Sequence, residues 1–385
     1  MRGGAASRRV RAILFASASC VISVATAAAQ PPSRPFHMGT TPLPPVWSSF
    51  GQDIAYSYLQ VEGDAVSHTL QHGVPWSEAL LSSDWRTYPS SVLQMWGEIV
   101  TNDALFIPNH ARYVSIHPIS SAYNGLAEYW GTEQLQTLPP PWNSKSFDDP
   151  DVKTAFLNYA IATVEFLHPT YLGLAVEANI LLARRPDLWS AYKELNRYVY
   201  TALKARYPSL VVFAGVQYEH MLGLVYDSRL LQAEVASSYP TILVDEVRDL
   251  MKASDLLALS TYPYIAYDAY VSPAYFDEAI ALGADTRRQL AIEQTGYTSQ
   301  PFQVYGTPIL GNETEQDAFI GLVLWTAFEH RFAFVINFIP VDYGLNYGDS
   351  AVSLTWAYTG LFRTDGSAKP AGNTWSAFMS APLAQ

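Results

Sequence analysis

Two glutamates combine the right residue type with the right placement for chemistry. Glu177 lies in Tyr171-Leu-Gly-Leu-Ala-Val-Glu-Ala-Asn179, and Glu293 lies in Gln289-Leu-Ala-Ile-Glu-Gln-Thr-Gly-Tyr297. Each follows a short apolar run of the kind that forms a strand buried on both faces, as in a parallel sheet. An ionised side chain has no place inside such a strand, but it does where the strand opens into a loop. Two carboxyl groups facing each other across a pocket suit hydrolysis of a glycosidic bond. One protonates the leaving oxygen and the other attacks the anomeric carbon, with about 5–5.5 Å between them in a retaining site. The acid needs an apolar or anionic setting that raises its pKa, while the nucleophile must be kept ionised by hydrogen bonds. The plainer reading is a pair of surface or salt-bridged glutamates that merely follow strands.

The elements that must position this pair can be read along the chain. Strands are expected at Phe36–Thr41, Asp64–Gln71, Arg112–Pro118, Leu172–Val176, Leu210–Val216, Asp255–Thr261, the run through Glu293, and Phe332–Ile339. Helices are expected at Asp53–Val61, Asp151–His168, Phe276–Leu282 and Thr314–Phe328. Another starts at Pro186, where Leu188, Tyr192, Leu195, Val199 and Leu203 recur at helical spacing. Strands alternating with helices imply parallel pairing through right-handed crossovers. Eight such units close into a (β/α)8 TIM barrel, an α/β single domain with its chemistry at the carboxyl ends of the strands. On this count Glu177 ends the fourth strand and Glu293 sits on the seventh. The segment from Ile119 to Pro150 has no clear periodicity and carries Tyr123, Tyr129, Trp130 and Trp142. A loop of that length is expected to be functional.

The chain has 385 residues and a formal charge of −12. Residues 1–29 read as a signal peptide, with Arg2, Arg8, Arg9 and Arg11 before the apolar stretch Ala12–Val24 and a small-residue cleavage site at Ala27-Ala28-Ala29. Residues 30–385 would then form the catalytic domain of a secreted or periplasmic monomer. The only cysteine, Cys20, falls inside the leader, so the exported chain would rely on a large core without disulfides. Loss of the four leader arginines would take the charge from −12 to −16. Such an acidic surface argues against nucleic acid and against anionic membranes. Aromatic residues make up 14% of the chain, with 10 Trp, 25 Tyr and 17 Phe, and rings that line a cleft suit the faces of sugars. No cofactor is implied. The first strand offers the single His37 where metal-dependent barrels carry a His pair, there is no Gly-rich phosphate loop, and no Gly-x-Ser-x-Gly elbow occurs.

With these residues placed, the chain resembles the retaining clan-A glycoside hydrolases, which carry catalytic glutamates at the ends of strands four and seven. Within that clan it looks most like the endo-β-1,4-galactanase, arabinogalactan-degrading group, through Glu293-Gln-Thr-Gly-Tyr297 and Ser260-Thr-Tyr-Pro-Tyr264. The ending Gly360-Leu-Phe-Arg-Thr-Asp-Gly-Ser-Ala-Lys-Pro-Ala371 is similar to the closing segment of many clan-A barrels. The resemblance implies a carbohydrate substrate, Glu177 as acid/base and Glu293 as nucleophile. Clan members often have Asn directly before the acid/base and a Trp on strand eight. Here Val176 and the pair Asn337-Phe338 stand in those places, and the nearest Trp is Trp325.

Around the two carboxyl groups, Tyr262 could donate its hydroxyl to Glu293 or be a core Tyr beside a turn. Asn179 could contact a sugar or Glu177, or cap the following turn. His117, His68 and His72 could contact hydroxyls or be structural. Trp130 and Trp142 are candidates for stacking on sugar rings, as is Trp76 unless it only packs the loop, and Asn337 could face the substrate. Glu219 and His220, just beyond strand five, could reach the pocket or lie in solvent. The rival reading is a non-catalytic carbohydrate-binding barrel that keeps the cleft without turnover.

Overall fold

A computed structural model describes residues 31–224, 243–266, 271–304 and 307–384; the expected leader and Cys20 lie outside them. The strands are β1 His37–Thr40, β2 Ala65–Leu70, β3 Ala111–Ile116, β4 Tyr171–Gly173, β5 Val211–Phe213, β6 Val216–Gln217, β7 Leu256–Thr261 and β8 Gln289–Thr295. A short antiparallel hairpin, β9 Phe302–Val304 and β10 Thr307–Ile309, precedes β11 Phe334–Asn337. The main sheet runs β5-β4-β3-β2-β1-β11-β8-β7-β6, and every pairing in it is parallel.

Its two ends are pieces of one strand. β5 pairs with β4, β6 pairs with β7, and only Ala214 and Gly215 separate them. Backbone bonds carry the seam across the break: Gly215 N–H donates to Ala175 O at 2.8 Å, and Asp255 N–H donates to Val212 O at 2.7 Å. The sheet is therefore a closed (β/α)8 barrel with eight strand positions, the fifth of them kinked. The continuous fifth strand expected from Leu210 to Val216 is corrected to this broken one. The fourth strand is also shorter than expected, because residues beyond Gly173 bend across the mouth and reach Glu177 in the left-handed region at φ 50°.

Alternation decides what fills the barrel. Ala65, Tyr113, Phe213, Leu256, Ala258, Ala291, Phe334 and Ile336 form one inward cluster, with the rings of Tyr113 and Phe334 stacked at 5.4 Å. Two residues further along the strands the inward positions turn small and polar: Ser67, Ser115, Gly173 and Ser260. The aromatic plug closes the floor, and the small residues above it leave room for one inward carboxyl, that of Glu293.

Helices cover the outer face. Pro186–Arg206 has Pro in its first turn, Lys204 and Arg206 in its last, and buries Tyr192, Leu195, Val199 and Leu203 as its periodicity predicts, with Trp189 buried in place of the half-buried Leu188. Pro150–Leu167 is capped by the Asp149 carboxylate and Glu313–Glu329 by Asn312. Among the described residues no helix is long and apolar enough to cross a membrane.

The closing segment is anchored by a buried cation. Lys369 Nζ donates to Asp342 Oδ1 at 2.7 Å, Ser299 Oγ at 2.8 Å and Gly360 O at 2.8 Å, with Lys369 and Asp342 almost wholly buried. Removing one partner of a buried pair strands the other charge, so Lys369→Met should destabilise the fold by about 3–5 kcal/mol. The shift of the denaturant midpoint measures this; a change within experimental scatter would mean that the pair does not hold the chain end.

Candidate active site

The barrel mouth opens into a cleft of ≈ 550 Å³ whose lining includes Glu177, Gln294, His117, His72, Phe338 and Trp356. Glu177 comes from the bend after β4 and its side chain faces this space, accepting a short hydrogen bond from Ser260 Oγ at the end of β7. A left-handed backbone is costly for a non-glycine residue, so its position is held by the surroundings and not by local preference. Val176 N–H donates to His117 Nδ1 at 3.1 Å and fixes the residue just before it.

Glu293 comes from β8 and points inward. The β7–β8 ladder slips by one residue between Leu259 and Ser260, which pair with Ile292 and Gln294, leaving Glu293 as the extra residue of a bulge. Its carboxyl is 1% exposed and accepts a hydrogen bond from Tyr113 Oη at 2.6 Å across the barrel. Gly215 makes the space for it: a Cβ there would sit 1.9 Å from Glu293 Oε1. The kink in strand five is thus located where a side chain would collide with the carboxyl.

Burial pushes the Glu293 carboxyl up to about 8, opposed by the Tyr113 hydroxyl and assisted by the negative charge of Glu177, while the Glu177 backbone N–H favours ionisation. Burial also pushes the His117 imidazole down to about 3, so it is neutral at ordinary pH. Since its Nδ1 accepts from Val176, the proton is assigned to Nε2, an atom buried without a partner among the described residues.

Tyr262 lies at the end of β7, with its ring 4.4 Å from Trp356 and close enough to Glu177 and Glu293 for both charges to act on it. Its hydroxyl has no hydrogen-bond partner among the described residues; the donor to Glu293 is Tyr113 instead. Glu177, Glu293, His117 and Tyr262 are therefore brought together at the carboxyl end of the barrel.

Other expected contacts lie elsewhere. Asn179 is fully buried and clasps the Gln217 backbone, donating to its O at 2.9 Å and accepting from its N–H at 2.8 Å. Asn337 is also fully buried and donates to Ile339 O and Thr359 O. His68 faces outward from β2 and bonds Asp103 at 3.0 Å, alongside Arg112 and Tyr56. Trp130 and Trp142 are packed into the core, Trp142 stacking on Trp76 at 5.5 Å and donating to Ser77 Oγ at 3.0 Å. The segment from Ile119 does line the cleft, but through smaller groups such as Ile119 and Tyr123. Glu219 and His220 are buried as well, and the Glu219 carboxylate is met by Thr261 Oγ1, Tyr262 N–H, the Tyr275 hydroxyl and the Gln217 amide.

Sequence reasoning missed Tyr113, Ser260 and Trp356. Alternation places Tyr113 on the same face as His117, but nothing local says that it reaches across to β8. Trp356 ends the helix Ala351–Trp356 after β11, whereas Trp325 packs outside the barrel on Phe328 and Phe378. Among the described residues no three His, Cys, Asp or Glu side chains are grouped to hold a metal.

By sequence, no protein family and no curated protein matches this chain. Solved structures do. A substituted GH5_18 protein from Streptomyces cattleya, in complex with Manb1-4GlcNAc, is 14% identical over 90% of this chain and 82% of its own, with a TM-score of 0.58. A GH53 catalytic domain from Ignisphaera aggregans is 14% identical over 91% of this chain and 98% of its own, with a TM-score of 0.56. A fungal β-1,4-galactanase is 14% identical over 85% of this chain and 90% of its own, with a TM-score of 0.52. The resemblance to glycoside hydrolase barrels read from the sequence is thus found again at the level of fold.

Tyr113→Phe removes the one side-chain donor to Glu293 and should raise its pKa further above about 8, as followed by NMR titration of labelled glutamate carboxyls. A raised pKa also has a sign for stability. The folded protein holds a proton that the unfolded chain releases, so this contribution is complete below 4.5 and is lost as pH rises to about 8. Glu293→Gln should therefore gain on the parent by about 1–3 kcal/mol between pH 5 and pH 9. Parallel pH dependence of the two unfolding curves would show that Glu293 titrates normally.

Proposed function

We propose that the chain is an exported glycoside hydrolase that cleaves a β-linked oligo- or polysaccharide with retention. The observation that carries this reading is the pair Glu177 and Glu293, delivered by the fourth and seventh strand positions close enough together for the Glu177 charge to raise the Glu293 pKa. In the first step Glu177 protonates the glycosidic oxygen as Glu293 attacks the anomeric carbon and the leaving sugar departs. In the second step Glu177 removes a proton from water, which displaces Glu293 and frees the sugar. Trp356 and Phe338 offer ring faces to the sugar, and Gln294 and His117 offer hydrogen bonds to its hydroxyls. Because one similar structure is a β-1,4-galactanase and another holds Manb1-4GlcNAc, β-1,4-galactan and β-1,4-linked mannosides are the first substrates to try.

One observation favours exchanging the two roles. A carboxyl held at about 8 is protonated at neutral pH, which suits an acid better than a nucleophile. The pH profile alone belongs to the coupled pair, so variants must separate the roles.

If Glu293 is the nucleophile, Glu293→Ala should lose several orders of magnitude on every substrate. Glu177→Ala should lose about 10²–10⁴-fold on polysaccharide yet keep its first step on aryl glycosides with acidic phenols, with azide restoring turnover. The reverse pattern would exchange the roles. Near-normal polysaccharide cleavage by Glu177→Ala would remove that residue from the chemistry. Binding of oligosaccharide without hydrolysis by the parent protein would leave the non-catalytic barrel.

A further inference from the structure

A second depression of ≈ 200 Å³ adjoins the cleft, and Thr41, Leu43, Thr69 and His72 line both. Beyond this junction its walls include Trp47, Gln52, Glu98 and Asn102. Trp47 is 77% exposed, although burying an indole is strongly favoured in water. Its exposure does not come from a loose loop. Gln52 Nε2 donates to Pro42 O at 2.9 Å, Tyr347 Oη donates to Pro44 O at 2.6 Å, and Asn346 Nδ2 donates to Pro45 O at 2.8 Å. The Tyr347 ring then braces the indole edge-on at 5.7 Å. Three prolyl carbonyls shortly before the exposed ring are thus held by side chains, two of them from the segment after the neighbouring strand β11.

Where the two depressions meet, Thr41 Oγ1 and His72 Nδ1 are buried without hydrogen-bond partners among the described residues. Such orphaned groups suit a ligand that carries many hydroxyls. A volume below the ~300–1,000 Å³ typical of whole small-molecule sites fits one more ring of a longer chain better than an independent ligand.

We infer that this depression is a distal sugar-binding subsite, with Trp47 as its stacking platform, that extends the cleft and selects longer glycans. The inference rests on the carbohydrate reading of the cleft. A sugar presents an apolar C–H face to the indole, while its hydroxyls meet the polar wall. Because the loop is already fixed, little ordering cost is incurred on binding. The subsite makes binding depend on chain length and draws on energy remote from the reacting bond.

The test is a binding series with β-linked oligosaccharides of increasing length, titrated by calorimetry into Glu177→Gln with and without Trp47→Ala. Affinity should rise with length in the Glu177→Gln background, and Trp47→Ala should weaken the longest ligands about tenfold while leaving the shortest unchanged. Trp47→Phe should recover most of that loss, and Trp47→Ala alone should hydrolyse a short aryl glycoside at the parent rate. Equal losses at all lengths, no loss at any length, or no binding would overturn the subsite. Failure of the parent protein to hydrolyse any β-glycoside is a separate outcome. It removes the hydrolase reading, while the length dependence of binding still reports on Trp47.

Discussion

A carboxyl group inside a barrel, with no lysine or arginine paired to it among the described residues, is the constraint to which this molecule is built. Glu293 cannot be solvated, and burial opposes its ionisation, so the surrounding chain must supply room and donors. Room comes from Gly215, and with it comes the break between β5 and β6. One donor is Tyr113, a ring from the aromatic plug whose hydroxyl reaches up to the carboxyl. Another is the Glu177 backbone N–H, available because the chain after β4 bends over the mouth in a left-handed conformation. The kink, the bulge and the strained residue are three accommodations to one buried group.

Three glutamates stand near this mouth, and hydrogen-bond saturation distinguishes them. Glu219 is met by four donors and is fully enclosed, so it behaves as a structural post that fixes the backbone of Tyr262 at the end of β7. Glu293 has an oxygen, Oε1, left without a partner among the described residues. Glu177 accepts from Ser260 and keeps a face toward the cleft. The partnerless Oε1 of Glu293 is the atom that an incoming donor could still engage.

The barrel and the position of its candidate carboxyl pair were legible because strands buried on both faces leave a dense apolar signature, and a Glu in or after such a run is anomalous. The same logic failed where contacts cross the barrel. Tyr113 and Glu293 are far apart in sequence and meet only because both point inward from opposite walls. The long loop misled for a different reason. Its tryptophans suggested sugar stacking, but a loop of that length needs a core of its own, and Trp130 and Trp142 provide it. Asn179 and Asn337 answer backbone groups at strand ends, a demand that no side chain advertises in sequence. Trp47 does face solvent, and Trp356 is half-buried on the cleft wall. Trp47 sits in an irregular connection and Trp356 at the end of a six-residue helix, both too short for periodicity to show.

The placement of positive charge completes the picture. Arg112 lies on the outer wall and is engaged by Asp103, and Lys369 is enclosed with Asp342 behind the last strands. Arg184, at the rim, donates to Ala122 O and stands over the Tyr123 ring. None of these three cations pairs with Glu293 among the described residues. On the proposed hydrolase reading, a sugar whose ring oxygen and anomeric carbon gain positive charge as the bond breaks would meet a buried carboxyl that no cation among the described residues neutralises. On that reading, positive charge developing beside Glu293 would favour the ionisation that burial opposes.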